Sequence, residues 1–322
     1  MKVIFLGTPE FAIPSLEKLL ASHHEVLAVV TQQDKPSGRG NKLKASPVKD
    51  FALKHNIKVL QYEKISRDGI EELKSLNPDI MVTAAYGQIL SQAIINIPKY
   101  GIINVHASLL PKYRGASPIQ SAILAGETHT GVTIMQTEIS LDSGDILNVQ
   151  STEIGENETA GELSSRLAEI GSDLLLKTLN EFETDSVCRE KQFHANATIT
   201  KKISKDECLI NWNKSAKQIK CLILATNPDP IARTMHNNNL IKIYKATESN
   251  VISTQEKPGT IIEPSSAKTG IFVQCGQGVL ELIEVQMPGG KVLDAKQLIN
   301  GRKLSVGMQF DPIVFPSQSN DE

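Results

Sequence analysis

The fold is decided by the stretch Asn104-Val-His106-Ala-Ser108-Leu-Leu-Pro111, which joins an apolar strand to a polar loop. Residues 101–106 are rich in isoleucine and valine and predict a buried strand. Side chains alternate between the two faces of a strand, so Asn104 and His106 project to the same side. One face of this strand therefore carries an amide and an imidazole.

The pattern around this strand is typical of parallel βαβ units. Short apolar runs at residues 2–6, 25–31, 79–85 and 101–107 alternate with amphipathic stretches, the first of them helical over 9–21. This alternation predicts an α/β fold with a Rossmann-like, doubly wound, mostly parallel sheet. Ligands bind such sheets at the carboxyl ends of the strands, where the 104–108 motif falls. A single glycine, Gly7, follows the first strand instead of G-x-G-x-x-G, which argues against dinucleotide binding.

A second domain is expected after residue 205. Helical residues 159–182 complete a first domain at 1–185, and the weakly periodic segment 186–205 is expected to be a linker. Short apolar runs between tight turns predict a small β-barrel over 206–315, and the polar residues 316–322 predict a disordered tail. The strands expected in the barrel are 208–212, 240–245, 259–262, 271–275 and 279–285, with one helix near 215–226.

Composition excludes several classes of protein. The chain has 322 residues, 40% of them hydrophobic and 22% charged, as in an ordinary globular protein of two domains. No run approaches the roughly 20 apolar residues of a membrane span and the start lacks a cleavage-site pattern, so we expect a cytoplasmic protein with no membrane partner. The four cysteines show no C-x-x-C spacing, which argues against a zinc site and a disulfide framework. A net charge of −2 means that any RNA binding requires a local basic surface.

Two motifs resemble those of the folate-dependent formyltransferases. They are the Asn-x-His-x-Ser-Leu-Leu-Pro string at 104–111 and the later Leu141-Asp142-Ser-Gly144-Asp145. The similarity runs from residues 4–11 to 288–291 and is closest to members that act on methionyl-tRNA. It implies a Rossmann-like catalytic domain followed by an OB-like barrel that binds tRNA. It also implies formyl transfer from 10-formyltetrahydrofolate, a consumed substrate, to the α-amino group of methionyl initiator tRNA, with no metal.

The resemblance assigns catalysis to Asn104, His106 and Asp142. Formyl transfer to an amine passes through a tetrahedral intermediate with a developing oxyanion, and the amine must lose a proton. Asn104 can donate through its NH₂ group, and His106 can donate or shuttle a proton near neutral pH. Asp142 would fix the imidazole tautomer, hold its charge or accept the proton through water, and the sequence leaves this division open. Taken singly, each is a common core or turn residue.

Two segments are expected to line the folate site, again by resemblance. The first is the strand exit after His106, and the second is a loop that departs from the family by having Ser91 where a proline is usual. The folate-binding residues predicted in this way are Ser108, Leu109, Leu110, Pro111, Tyr86, Gly87, Gln88, Ile89 and Leu90. Read without the resemblance, the 108–111 segment is a strand exit capped by proline.

A basic loop at residues 32–49 is the candidate RNA element. It is broken by glycine and proline, and long loops in a compact domain are usually functional or disordered. Arginine and lysine side chains bind phosphate, and the corresponding family loop enters the tRNA acceptor stem, with Arg39 aligned to its key basic residue. The predicted tRNA-binding residues are Lys35, Arg39, Lys42 and Lys44. A solvated basic loop is the alternative.

The second domain departs from the family. Leu224 and Asp229 stand where an arginine and a tryptophan are usual, which weakens inferences about ligand contacts there. Trp212 is expected to be a core anchor of the barrel rather than a base-stacking residue.

Three alternative functions remain. A formyltransferase of amino sugar nucleotides shares the catalytic core, but its substrate needs no long basic loop. A glycinamide ribonucleotide formyltransferase would lack the second domain. A non-catalytic tRNA-binding protein would not need Asn104, His106 and Asp142 together. We further expect the protein to be a monomer.

Overall fold

The structure is a computed structural model that describes residues 1–37, 42–251, 255–263 and 270–312. Arg39 and the expected tail at 316–322 therefore lie outside the described residues. The chain divides into two compact units. The first comprises residues 1–118, 129–153 and 163–201, and the second comprises 119–128, 154–162 and the described residues from 202 onward.

Up to residue 201 the chain alternates strands and helices as predicted. The strands are β1 (Lys2–Gly7), β2 (Glu25–Thr31), β3 (Lys35–Ser37), β4 (Lys42–Lys44), β5 (Val59–Gln61), β6 (Ile80–Ala84), β7 (Ile102–His106), β8 (Arg114–Gly115), β9 (His129–Gln136), β10 (Ile146–Glu153) and β11 (Ile199–Thr200). The helices are α1 (Ile13–Ala21), α2 (Pro47–Lys54), α3 (Ile65–Asp68), α4 (Ile70–Ser75), α5 (Gln92–Ile95), α6 (Pro118–Leu124) and α7 (Ala160–Glu183). A 3₁₀ turn at Glu10–Ala12 occupies the start of the helix expected at 9–21.

The main sheet has seven strands in the order β10-β9-β7-β6-β1-β2-β5. Strands β7, β6, β1, β2 and β5 are parallel, whereas β9 and β10 run antiparallel at one edge. The central strands β1 and β6 are buried almost throughout, as the continuous apolar runs in their sequences require. The Rossmann-like, mostly parallel sheet is therefore confirmed, and His106 ends β7 at the carboxyl edge of the sheet.

The second unit is an antiparallel OB-like domain, also as predicted. Its strands are β12 (Ala232–His236), β13 (Asn239–Ser249), β14 (Ile261–Ile262), β15 (Ile271–Gln274), β16 (Val279–Gln286) and β17 (Val292–Asp294), with helices α8 (Ala216–Ala225) and α9 (Ala295–Asn300). The strand order is β12-β13-β16-β15-β14, and β17 pairs with β16.

The strand expected at 208–212 is wrong. A 3₁₀ turn at Asp206–Cys208 occupies its start, and the segment makes only an isolated bridge from Leu209 to Arg233. The apolar side chains of this segment enter the core from irregular backbone. Trp212 is 4% exposed, stacks on Phe310 at 5.2 Å and donates from Nε1 to Thr234, so its role as a core anchor is confirmed.

None of the helices in the described ranges is long and apolar enough to cross a membrane.

Candidate active site

Asn104 lies on β7 with one end of its amide held and the other free. Its Oδ1 accepts a hydrogen bond of 2.8 Å from Oγ1 of Thr83, a residue paired with it on the neighbouring strand β6. With Oδ1 directed at Thr83, the amide nitrogen is the end that remains for a ligand. The side-chain NH₂ group is half-buried and donates to no described residue. Asn104 therefore presents a free, oriented donor at the carboxyl edge of the sheet.

His106 is buried, with 5% of its surface exposed. Its Nε2 lies 3.0 Å from the carbonyl oxygen of Tyr113, so Nε2 carries a proton and donates it to that acceptor. In the neutral imidazole, Nδ1 is then the unprotonated nitrogen. Nδ1 faces Oδ2 of Asp142 at 3.8 Å, a separation too long for a direct hydrogen bond.

Asp142 lies in the turn that follows β9. Its backbone adopts a left-handed conformation with φ of +46°, which aspartate tolerates better than most residues. Oδ2 accepts a hydrogen bond of 2.8 Å from the backbone nitrogen of Gly115. A side chain on Gly144 would collide with the carbonyl oxygen of Gln136, so the turn requires glycine at this position. The residue is thus both a turn former and the carboxylate beside His106.

Opposing electrostatic effects set the charge of His106. Burial lowers its pKa below the ordinary value of 6.5, and the positive charge of Arg114 acts in the same direction. The Asp142 carboxylate and the hydrogen bond to Tyr113 raise the pKa and only partly offset the burial. The imidazole is therefore neutral at neutral pH, with Nδ1 available to accept a proton and Asp142 placed to stabilise the resulting cation.

The segment 108–111 is held mostly by its own hydrogen bonds. Ser108 is fully buried, and its Oγ donates to the carbonyl oxygen of Lys112 at 2.7 Å. Oγ1 of Thr133 donates to the carbonyl of Ser108 and accepts from the backbone nitrogen of Leu110. The structure thus places the Ser108 hydroxyl inside the protein, where it shapes the loop, and leaves Leu109 and Pro111 half-exposed.

Residues 86–90 follow β6 and have mixed environments. The carbonyl oxygens of Tyr86 and Gly87 both accept from Nε2 of Gln32, at 3.1 and 2.9 Å. Burial raises the pKa of Tyr86 to about 12, so its hydroxyl keeps its proton. This hydroxyl is buried and has no partner among the described residues. Ile89 is 89% exposed, whereas Leu90 is buried.

A cavity of about 700 Å³ lies beside this loop, on the β2 and β5 side of the sheet. Residues from three connections line it, those after β2, β5 and β6. The cavity brings Gly87, Gln88 and Ile89, predicted for folate, together with Lys35, predicted for RNA. Lys64 also lines it, and neither lysine is paired with a carboxylate in the part of the chain that the structure describes.

The basic loop forms a two-stranded hairpin of β3 and β4 in which Lys35 pairs with Lys44. Both of these lysines are exposed. Lys42 begins β4, directly after the segment that contains Arg39, which lies outside the described residues. The pairing therefore places two like charges side by side, and like charges on paired positions repel.

Two residues beside Asp142 were not among the predicted site residues, although Arg114 belongs to a segment, 112–115, that the sequence suggested could shape the site entrance. Gln192, in the segment expected to be a linker, donates from Nε2 to the carbonyl oxygens of Asp142 and Gly144 at 2.9 and 2.7 Å. Buried Arg114 in turn donates to Oε1 of Gln192 from Nε and Nη2, at 3.1 and 2.6 Å. Gln192 lies 50 residues from Asp142 along the chain, in a polar segment with weak periodicity. The sequence therefore gives almost no indication that the two residues are in contact.

One group of possible metal ligands occurs within the described ranges, formed by His23, His24 and Glu183. It lies at the amino edge of the parallel strands, before β2 begins, whereas the catalytic candidates lie at the carboxyl edge. Oε1 of Glu183 accepts from the nitrogen of Met1 at 2.9 Å, and Oε2 contacts Nε2 of His23 at 2.7 Å. Glu183 is therefore already paired with the Met1 amino group, and this cluster lies away from the catalytic candidates.

An amide donor, a neutral imidazole and a carboxylate are groups that acyl transfer to an amine can use. A family model described as formyl transferase matches residues 1–179, and one described as formyl transferase, C-terminal domain, matches residues 202–303. The class of the protein is therefore that of the formyltransferases.

Curated relatives narrow this class. The chain is 46% identical over 310 residues to the methionyl-tRNA formyltransferase of Alkaliphilus metalliredigens, which covers 96% of this chain and 98% of that protein. The identity to the methionyl-tRNA formyltransferase of Clostridium tetani is also 46%, over 96% of this chain and 99% of that one. The chain belongs to the methionyl-tRNA formyltransferase family.

Among solved structures, the fold is similar to that of WlaRD, a sugar 3N-formyltransferase described in the presence of dTDP and 5-N-formyl-THF. The TM-score is 0.65 at 22% identity, over 89% of this chain and 97% of that one. At this identity the likeness shows the fold alone.

Proposed function

We propose that this protein transfers the formyl group of 10-formyltetrahydrofolate to the α-amino group of methionyl initiator tRNA. The observation that carries the proposal is the free Nδ1 of buried His106, facing Asp142 beside the free amide donor of Asn104. The nearly full-length identity to methionyl-tRNA formyltransferases supports the choice of acceptor.

The geometry supports a division of labour that the sequence left open. The uncharged amine attacks the formyl carbon, and the NH₂ group of Asn104 donates to the oxyanion that develops. Nδ1 of His106 takes the proton that the amine loses, and Asp142 stabilises the imidazolium electrostatically. The carbon–nitrogen bond to folate then breaks, and the imidazolium returns its proton to the departing folate nitrogen. Asp142 does not select the tautomer, because the Tyr113 carbonyl does so at Nε2.

The folate site is proposed to lie between the two loops at the carboxyl edge of the sheet. Leu109 and Pro111 offer half-exposed apolar contact after β7, while the exposed Ile89 does so after β6. Ser108 and Leu110 support this loop from the interior through the hydrogen bonds to Thr133. The buried hydroxyl of Tyr86 is a candidate donor to a bound ligand.

The RNA is proposed to contact the hairpin and the neighbouring cavity. Lys35 and Lys44 are exposed, and Lys35 and Lys64 line the same cavity without carboxylate partners among the described residues. Arg39 and Lys42 lie between Lys35 and Lys44 in the sequence and are proposed to contribute to the same basic surface. We further propose the domain limits 1–185, 186–205 and 206–315, with the third segment as a second RNA-binding module. The enzyme is also proposed to be a monomer.

The test offers the purified protein labelled 10-formyltetrahydrofolate with either methionyl initiator tRNA or a UDP-amino sugar. We expect label on the tRNA with wild-type protein, and labelling about 1,000-fold slower with His106→Ala. Label on the sugar alone would contradict the proposed acceptor, and label on neither would contradict the proposed reaction. Size-exclusion chromatography with light scattering tests the monomer.

A further inference from the structure

Gln192 is a buried amide whose hydrogen-bonding capacity is fully used. It is 5% exposed, although its neighbours Lys191 and Phe193 are exposed. Its Oε1 accepts two bonds from Arg114, and its Nε2 donates to two carbonyl oxygens, those of Asp142 and Gly144. An amide has two donor hydrogens and two acceptor lone pairs, so no other orientation satisfies these partners.

Arg114 is anchored through its Nε and Nη2 atoms. Its side chain is buried, and Nη2 also donates to Nδ1 of His194 at 3.0 Å. Its backbone pairs through β8 with β11, where Arg114 is opposite Ile199 and Gly115 is opposite Thr200. Gly115 is the residue whose nitrogen binds the Asp142 carboxylate. One short strand therefore carries the anchor of Gln192 and the donor to Asp142.

The turn that holds Asp142 needs such support. Leu141 and Ile139 are exposed, so little apolar packing holds this turn. Asp142 also has a positive φ, a conformation that costs energy for a residue other than glycine. The bonds from Gln192 reach the backbone, and the bond from Gly115 reaches the carboxylate, so the two contacts together set the position of Oδ2.

We propose that Arg114 and Gln192 are positioning residues that hold the Asp142 carboxylate in register with Nδ1 of His106. Neither residue touches the reacting atoms in this role. The inference rests on the proposed formyl transfer for its kinetic consequence, but its structural claim stands on the hydrogen bonds alone. A 1 Å displacement of a reacting group can cost about 100-fold in rate, so the expected effect is on kcat rather than KM.

The test compares Gln192→Met, Gln192→Glu and a control, Gln274→Met. Methionine keeps the length of the side chain and removes all four hydrogen bonds. Glutamate keeps an acceptor for Arg114 but has no donor for the two carbonyls. Gln274 is a buried glutamine of the second unit that also donates to two carbonyls, those of Cys275 and Gly278.

Two readouts are taken for each variant, kcat per folded molecule and the pKa of His106 by NMR titration of its imidazole. The charged groups that act on His106 are Asp142, which raises its pKa, and Arg114, which lowers it. We expect Gln192→Met to lower kcat about 100-fold with little change in KM, and to lower the His106 pKa because the carboxylate has moved away. Glutamate should not restore kcat, and Gln274→Met should change neither quantity.

Three results would overturn the inference: an unchanged kcat and His106 pKa in Gln192→Met, full activity in Gln192→Glu, or a loss of activity that only follows the loss of folded protein. If the wild-type protein fails to transfer formyl, the proposed function fails, but the NMR titration still decides the positioning role.

Discussion

The proposed catalytic residues and the basic hairpin belong to the same unit of the protein, yet their environments are opposite. His106 is 5% exposed and the Asp142 side chain 16% exposed, and hydrogen bonds hold both. Lys35 and Lys44 are exposed, and apart from the bond between Lys35 and Gln32 neither has a partner in the described structure. From this difference we expect the first region to act through the exact position of its groups and the second through its charge.

Mutations in the two regions should affect different kinetic quantities. A group that transfers a proton must be within hydrogen-bond reach of its substrate, so its loss lowers the rate even when the substrate is saturating. Exposed cations attract phosphate over several ångströms and are screened by salt, so their loss is overcome by more RNA or hidden by more salt. The following variants separate the two regions.

The largest effect is expected for His106→Ala. Removing the proton acceptor should lower kcat by about 1,000-fold, within the range for general acid–base catalysis, while RNA affinity changes less than about twofold. Single-turnover kinetics and filter binding measure the two quantities. An equal loss of RNA binding would show that the comparison between the regions is wrong.

Asn104 should follow, with a loss in kcat of about 100-fold for Asn104→Ala, as for other oxyanion donors. Thr83→Val keeps the donor but releases Oδ1, since Thr83 is the partner of that atom. Its kcat should fall between those of the wild type and Asn104→Ala. If Thr83→Val is as slow as Asn104→Ala, the threonine is more than an orienting residue.

Replacing both cavity lysines, Lys35→Ala with Lys64→Ala, should weaken RNA binding about tenfold at low salt. Each lost phosphate contact also lowers the slope of log affinity against log salt by about 0.7 to 0.9, so the double variant should lose between one and two units. Lys54→Ala, an exposed lysine on α2 outside the cavity, is the matched control. An unchanged salt slope would remove the cavity from the RNA-binding surface.

The smallest predicted change is a shift in the titration of His106. Because burial lowers its pKa, the wild-type imidazole should titrate below pH 6.5. Asp142→Asn removes the charge that raises this pKa, so the titration should move to still lower pH. NMR of the labelled imidazole measures both values. A move to higher pH would contradict the assignment of Asp142 as the partner that stabilises the cation.

Much of this architecture was predictable from local pattern. Apolar periodicity predicted β1, β2, β6 and β7 because buried parallel strands require continuous apolar runs. The prediction failed at 208–212, where side chains such as that of Trp212 are buried in the core but the backbone does not pair as a β-strand. The same limit applies to the site. Asn104 and His106 share one strand and were recognisable together, whereas Gln192 acts on Asp142 across 50 residues and leaves no local signal.

The most direct test of the comparison is the single-turnover rate of formyl transfer to methionyl-tRNA, measured as the RNA concentration is raised. With Lys35→Ala and Lys64→Ala combined, we predict that the rate returns to within about twofold of the wild-type value at saturating RNA. With His106→Ala it should stay about 1,000-fold lower at every concentration. A lysine variant that remains slow at saturation, or a histidine variant that recovers, would contradict the division between a positioned catalytic centre and a charged RNA surface.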